Sequence, residues 1–134
     1  MSMFSIFNVS GSAVSAQSQR LNVVASNLAN VDAVAGPDGK AYKARQVVFQ
    51  TVPMGSEGSA GIKVNAITEN DAPGRRVLDP ANPAADEQGY VTHSNVNAVE
   101  EMVNMISASR SYQNNVEVMN TAKTLLLKTL QMGQ

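Results

Sequence analysis

An α+β fold is predicted, with long N- and C-terminal helices packed as a coiled coil and a β-rich, Gly/Pro-containing insert between them. Three observations predict it. All five prolines and seven of the nine glycines fall between Gly36 and Gly89, so turn chemistry is confined to the middle and both ends are free to be helical. The C-terminal part repeats apolar residues at spacings alternating four and three, which is the rhythm of a coiled-coil seam. The insert holds two runs with the β-branched, alternating character of strands. The chain thus divides into an N-terminal helical part (1–35), the insert (36–92) and a C-terminal helical part (93–134).

In the N-terminal part, Val14, Gln17, Leu21, Val24, Leu28 and Val31 follow a 3.5-residue period, with Ser10 or Ser12 as candidate caps. A helix from Ser12 to Ala35 would be about 36 Å long at 1.5 Å per residue. Its outer face is unusual. Among 24 residues only Arg20 and Asp32 are charged, and the positions facing away from the seam are Ser15, Ser18, Gln19, Asn22, Ser26, Asn27 and Asn30. Short uncharged polar side chains can be covered at modest cost, whereas an unpaired charge cannot. Two readings stay open: a solvent face of odd composition, or a helix surrounded by others in an assembly.

In the insert, Gly36 to Ala41 reads as a turn, residues 42–52 and 61–68 as strands, and Gly55 to Gly61 as a hairpin tip. Asp79-Pro80-Ala81-Asn82-Pro83 reads as extended, turn-rich chain. Thirteen of the 21 charges lie in this insert, which marks it as the solvated part.

The C-terminal helix is read from Asn97 to Met132. Its seam is Ala98, Met102, Met105, Ser109, Tyr112, Val116, Met119, Lys123, Leu126 and Leu130, eight of the ten being apolar. Asn97 and Glu100 have capping-box spacing, Glu101 reinforces the acidic start, Lys123 and Lys128 sit near the end, and Gly133 supplies a stop. At about 54 Å it outruns the first helix and needs a further partner. Burial along these seams falls short of the entropy of ordering them, so the helices are expected to be loose in an isolated chain and to order on packing with other chains.

Composition excludes several functions. Ten Lys+Arg against eleven Asp+Glu give a net charge of −1, without the basic excess of a nucleic-acid surface. The chain has no cysteine, so thiolate metal sites, disulfides and Cys nucleophiles are out. No run approaches the roughly 18 apolar residues that span a bilayer, and the first basic residue is Arg20, so neither membrane insertion nor a cleaved signal peptide is expected.

The search for catalytic chemistry yields little. His93 stands next to Ser94, but adjacent residues lack the geometry of a nucleophile–base pair and no orienting frame surrounds them. Gly36 to Ala41 ends in Gly-Lys without the spacing of a P-loop. Asp79, Asp86 and Glu87 lack the pattern of a calcium loop and read as solvated charge. Asn8-Val9-Ser10 is too short a signal to mark glycosylation. Met102, Met105, Met119 and Met132 suit an adaptable packing surface. No enzyme, no cofactor and no metal site is expected.

Two stretches carry a family resemblance. Ser10-Gly11-Ser12-Ala13 leading into Gln19-Arg20-Leu21-Asn22-Val23-Val24-Ala25-Ser26-Asn27-Leu28-Ala29-Asn30 is similar to the N-terminal signature of the rod and hook axial proteins of the bacterial flagellum. Gly89-Tyr90-Val91, Ser94 to Val103 and Ser109 to Asn115 resemble the C-terminal signature of the same family. The short length and the Asp79 to Asp86 run are most similar to its proximal rod members; Ala33 and Asn82 depart from the family's usual Thr and His.

The resemblance implies a subunit exported uncleaved through the flagellar type III apparatus, which polymerises helically in the periplasm into the basal-body rod. Its implied partners are its own copies, other rod proteins, the export apparatus and the basal-body rings, with no nucleic acid. The seam residues Leu21, Val24, Leu28, Met105, Tyr112, Val116, Met119, Leu126 and Leu130 are then expected to pack within and between chains. Asn27, Asn30, Asn114 and Asn115 are expected to hydrogen-bond across crowded interfaces, and Arg20 and Arg110 to be paired. The alternatives are another axial rod or adaptor component, and a secreted coiled-coil effector or export chaperone.

Overall fold

The computed structural model describes residues 2–133. Helix α1 (Met3–Ala29) and helix α2 (Ala98–Met132) enclose strands β1 (Arg45–Pro53), β2 (Ala60–Glu69), β3 (Arg76–Leu78) and β4 (Tyr90–Thr92) in the sequence.

α1 differs from expectation at both ends. It begins nine residues before Ser12, capped by Ser2, whose Oγ accepts the Ser5 N–H at 3.1 Å. Of three serines able to cap, the first wins because Met3, Ile6 and Val9 continue the half-buried face upstream of Ser10. Gly11 is therefore interior to the helix. α1 ends at Ala29, not Ala35, because the next segment is drawn into other bonds: Val34 bridges His93, and the Ala35 N–H reaches the Thr92 carbonyl at 2.8 Å. α2 has the expected bounds. Asn97 Oδ1 accepts the Glu100 N–H at 3.2 Å, and the Gly133 N–H closes on the Thr129 carbonyl at 3.1 Å.

The two helices lie antiparallel. Asn27 near the end of α1 touches Glu101 at the start of α2, while Met3 and Phe7 stand beside Ala122 and Leu126. Their contact is built from small residues: Ala16, Ala108 and Ala122 are buried, and Gly11 leaves room for the Met119 methyl. Small side chains let helix backbones approach closely.

β1 and β2 form an antiparallel hairpin from Arg45↔Glu69 to Pro53↔Ala60, with the register shifting after Val48 so that Asn65 is the extra residue of a bulge. The hairpin packs on α1 beside α2, leaving the Ser15, Gln19, Asn22 and Ser26 face of α1 exposed. Val47 stands beside Val23 and Val24, and Ser12 Oγ accepts the Ile62 N–H at 3.1 Å while donating to the Val9 carbonyl at 2.7 Å. At the tip, Gly55 and Gly58 adopt φ of 81° and 74°, which suits glycine, and Ser59 Oγ donates to the Met54 carbonyl.

A second antiparallel pair, β3–β4, was not foreseen in the sequence. Its connecting loop is tied by Asp86, whose Oδ1 accepts from the Gln88 and Tyr90 N–H groups, both at 2.9 Å. Val91 of β4 is fully buried between β3 and the 34–35 segment.

Candidate functional site

The most specific polar arrangement lies where the end of α1, the start of β1 and the start of α2 meet. Asn27 is 0% exposed and uses its whole amide. Its Nδ2 donates to the Arg45 carbonyl at 2.8 Å and to Glu101 Oε2 at 3.0 Å; its Oδ1 accepts from Tyr42 Oη at 2.9 Å and from the Arg45 N–H at 3.0 Å. A primary amide offers two donors and two acceptor positions, so Asn27 is saturated. Glu101, 6% exposed, also accepts from Asn104 Nδ2 at 3.5 Å. Burial pushes the Tyr42 phenol above its ordinary 10.0, opposed in part by the Arg45 guanidinium.

Asn95 performs the same service one layer out. Its Oδ1 accepts the Ala44 N–H at 2.6 Å, and its Nδ2 donates to the Asn70 and Ala72 carbonyls at 2.7 and 2.9 Å. Ser94 Oγ donates to the Val31 carbonyl at 2.8 Å. Asn27 and Asn95 thus join the helix pair to both ends of the hairpin, and Ser94 ties the approach to α2 to the chain that follows α1. No buried side-chain polar atom among the described residues lacks a partner.

Beside this junction an open cleft of about 640 Å³ is lined by Tyr42, Lys43, Arg45, Glu69 and Asp71. Its charges answer one another. Lys43 Nζ lies 2.9 Å from Asp71, each holding the other charged, so the amine titrates higher and the carboxyl lower than usual. Arg45 Nε lies 3.9 Å from Glu69. Among the described residues no group of three or more His, Cys, Asp or Glu side chains could hold a metal ion. His93 accepts a structural place, with Nδ1 3.1 Å from the Asp32 carbonyl. No helix is long and apolar enough to cross a membrane.

The residues singled out in the sequence divide into two groups. Val24 is buried, and Leu21, Leu28, Met105, Tyr112, Val116, Met119 and Leu126 are half-buried. Leu130 is 59% exposed, so it takes no part in packing within the chain; α2 outruns α1 before reaching it. The side of α2 turned to α1 runs through Glu101, Met105, Ala108, Tyr112, Asn115, Met119, Ala122 and Leu126, which shares every second member with the predicted seam and replaces the others by their preceding neighbours. Met102 and Lys123, assigned to the seam, are exposed.

Among the polar residues, Asn27 is the hub described above. Asn30 and Asn115 bond only to carbonyls four residues earlier, of Ser26 and Ser111. Asn114 borders an apolar groove of about 500 Å³ with Met3, Ile6, Val118 and Leu125. Neither predicted arginine is ion-paired among the described residues: Arg20 Nη1 contacts Gln17 Oε1 at 3.5 Å, and Arg110 is exposed. The one carboxylate buried among the described residues, Glu101, is already engaged by Asn27 and Asn104. Sequence reasoning missed Tyr42, Ser12, Asn95 and Glu101 as structural nodes. Ser12, Asn95 and Glu101 stood within the recognisable motifs, and that was the available signal.

Comparison with known proteins places this geometry. Residues 7–37 match the family described as "Flagella basal body rod protein", and residues 87–132 match "Flagellar basal body rod FlgEFG protein C-terminal". The chain is 58% identical over 134 residues to the flagellar basal-body rod protein FlgC of Yersinia enterocolitica, 56% to that of Escherichia coli O6:H1 and 54% to that of Salmonella typhimurium, with all of each chain covered. The Asn27 hub falls in the first matched segment and Ser94, Asn95 and Glu101 in the second, so the two matched parts are the two sides of one junction. Full-length identity and both matched segments establish that the chain belongs to the flagellar basal-body rod protein FlgC family, structural subunits of the rod.

Proposed function

We propose that this structural rod subunit occupies the proximal part of the rod, where α1 and α2 pack with those of neighbouring subunits as a coiled coil toward the interior and the insert decorates the outside. The single observation that carries the reading is the unfinished surface of α2. Val99, Met102, Val103 and Ile106 are 54–71% exposed, more than a freely soluble single chain normally leaves open in one stretch. A head-to-tail, non-closing contact builds a helical tube from identical subunits.

The seam residues Leu21, Val24, Leu28, Met105, Tyr112, Val116, Met119, Leu126 and Leu130 serve packing within and between chains in this reading, and Asn30, Asn114, Asn115, Arg20 and Arg110 serve the contacts between chains. The uncharged outer face of α1, where Ser15, Gln19, Asn22 and Ser26 are exposed, suits a crowded helix wall. The partners are other rod proteins, the export apparatus and the surrounding rings; the place of assembly is the periplasm, reached without a cleaved signal peptide. The role is structural, not enzymatic. Immunogold labelling of purified hook–basal bodies with antibody to this chain tests it: gold at the base of the rod is expected, and gold at the hook or none on the particle would refute the assignment.

A further inference from the structure

Met54 stands where the tip of the hairpin meets α1, and its side chain fills a gap left by a glycine. Gly61 at the start of β2 is buried, and a Cβ there would collide with Met54 Sδ and come within 2.8 Å of Ser12 Oγ on α1. The thioether therefore lies against the glycine backbone, beside the hydroxyl that accepts the Ile62 N–H at 3.1 Å. The main chain beneath it is fixed. The Met54 N–H donates to the Ser59 carbonyl at 2.8 Å, and the Met54 carbonyl accepts from Ser59 Oγ. Only the side chain is free to leave.

Met54 is half-buried, not sealed. With Ser5, Asn8, Ser12, Gly55 and Ser59 it lines an open pocket of about 310 Å³ between α1 and the tip. A water molecule occupies roughly 30 Å³ in the liquid, so a peroxide, little larger than water, can enter. The notch over Gly61 has no donor for an added oxygen. Ser12 Oγ gives its proton to the Val9 carbonyl at 2.7 Å, and Ser59 Oγ gives its own to the Met54 carbonyl. A polar group held there would be desolvated without a partner, which is unfavourable. The pocket side offers water instead.

We propose that Met54 is a modification site: hydrogen peroxide oxidises its thioether to the sulfoxide, and the sulfoxide releases the start of β2 from Ser12. The sulfur lone pair attacks one peroxide oxygen, and the O–O bond breaks as the S–O bond forms. Sulfur loses two electrons, and the peroxide, having given up one oxygen, leaves as water. The product is polar and pyramidal where the thioether was apolar. It turns from the notch to the water of the pocket, which uncovers the bond between the Ile62 N–H and Ser12 Oγ. Reductases that return sulfoxide to thioether make the step reversible. The inference concerns the contact of the insert with α1 and holds whatever position the subunit takes in the rod.

Peptide mass mapping and amide exchange on the full chain treated with hydrogen peroxide test it. Met102 and Met132, 54 and 87% exposed, are the internal comparisons for reactivity. Met54 is expected to gain one oxygen, and the Ile62 amide to exchange about tenfold faster, as for the loss of one ordinary hydrogen bond. The Arg45 amide, held by Asn27, is expected to keep its rate. Methionine sulfoxide reductase should restore slow exchange at Ile62. Met54→Leu, a change that nearly conserves volume, should show no difference at Ile62 before and after peroxide. Met54 left unoxidised once Met102 and Met132 have reacted would overturn the inference. So would unchanged exchange at Ile62 with Met54 oxidised, acceleration at Arg45 equal to that at Ile62, no recovery with the reductase, or the same response in Met54→Leu.

Discussion

Asn27→Ala is the sharpest perturbation of the junction. It removes four hydrogen bonds at once: one from the Arg45 N–H, one to the Arg45 carbonyl, one from Tyr42 Oη and one to the buried Glu101 carboxylate. Net contributions are about 1 kcal/mol for a neutral hydrogen bond and about 1.5–3 kcal/mol for one to a charged group. Tyr42 is half-buried and can recover a bond to water, so the sum falls near 3–5 kcal/mol. That is a large part of the roughly 5–15 kcal/mol available to a small domain. In urea, with a slope of about 2 kcal/mol/M, the unfolding midpoint should fall by about 1.5–2.5 M. Asn30→Ala is the matched control, because its amide bonds only the exposed Ser26 carbonyl one turn back, and it should stay within about 0.5 kcal/mol. A midpoint shift for Asn27→Ala under 0.5 M, or equal to that of Asn30→Ala, would refute the hub.

Other expectations follow from the same geometry. Asn27→Asp sets a second carboxylate against Glu101, which raises the pair's proton affinity above the ordinary carboxylate range near 4; its stability relative to the parent should be best below that range and fall as pH rises to 7, and the reverse trend in melting experiments would refute it. Gly11→Ala should stabilise by roughly 0.5–1 kcal/mol, since Gly11 is interior to α1 and an added Cβ meets only the Met119 methyl at 3.8 Å; calorimetric destabilisation would contradict the packing. The Tyr90 N–H, and the Gln88 N–H beside it, hold the Asp86 carboxyl below its ordinary 3.8, so that bond is fully present above that value and is lost as pH falls through the lower folded value. Amide exchange at Tyr90, corrected for intrinsic rate, should accelerate there, and a flat profile would deny Asp86 that role. Met119→Asp and Leu126→Asp place a charge on the half-buried seam and should abolish motility with the chain still detectable; motility retained in both would remove the seam from assembly.

The parts legible in the sequence were those with local signals. The Asn97 cap, the Gly133 stop and the uninterrupted stretch between them define α2, and the clustered glycines frame the β1–β2 hairpin to within a few residues. The start of α1 was not legible, because Ser2, Ser10 and Ser12 are equally good caps by type and Gly11 reads as a boundary when it is a close-packing site. The phase of the α2 seam was half legible for a physical reason. A pattern search follows large apolar side chains, whereas the helices meet through Ala16, Ala108, Ala122 and Gly11, and the large residues Val99, Val103 and Ile106 face away. The β3–β4 pair was hidden by its three-residue strands, and the Asn27–Glu101 bond spans 74 positions that no local rule connects.

The measurement that bears most directly on the account is electron microscopy of basal bodies from a strain lacking this chain, beside the same strain carrying it on a plasmid. Membrane rings without a rod, restored by the plasmid, are the predicted result. Intact rods and hooks in the deletion strain would contradict the account.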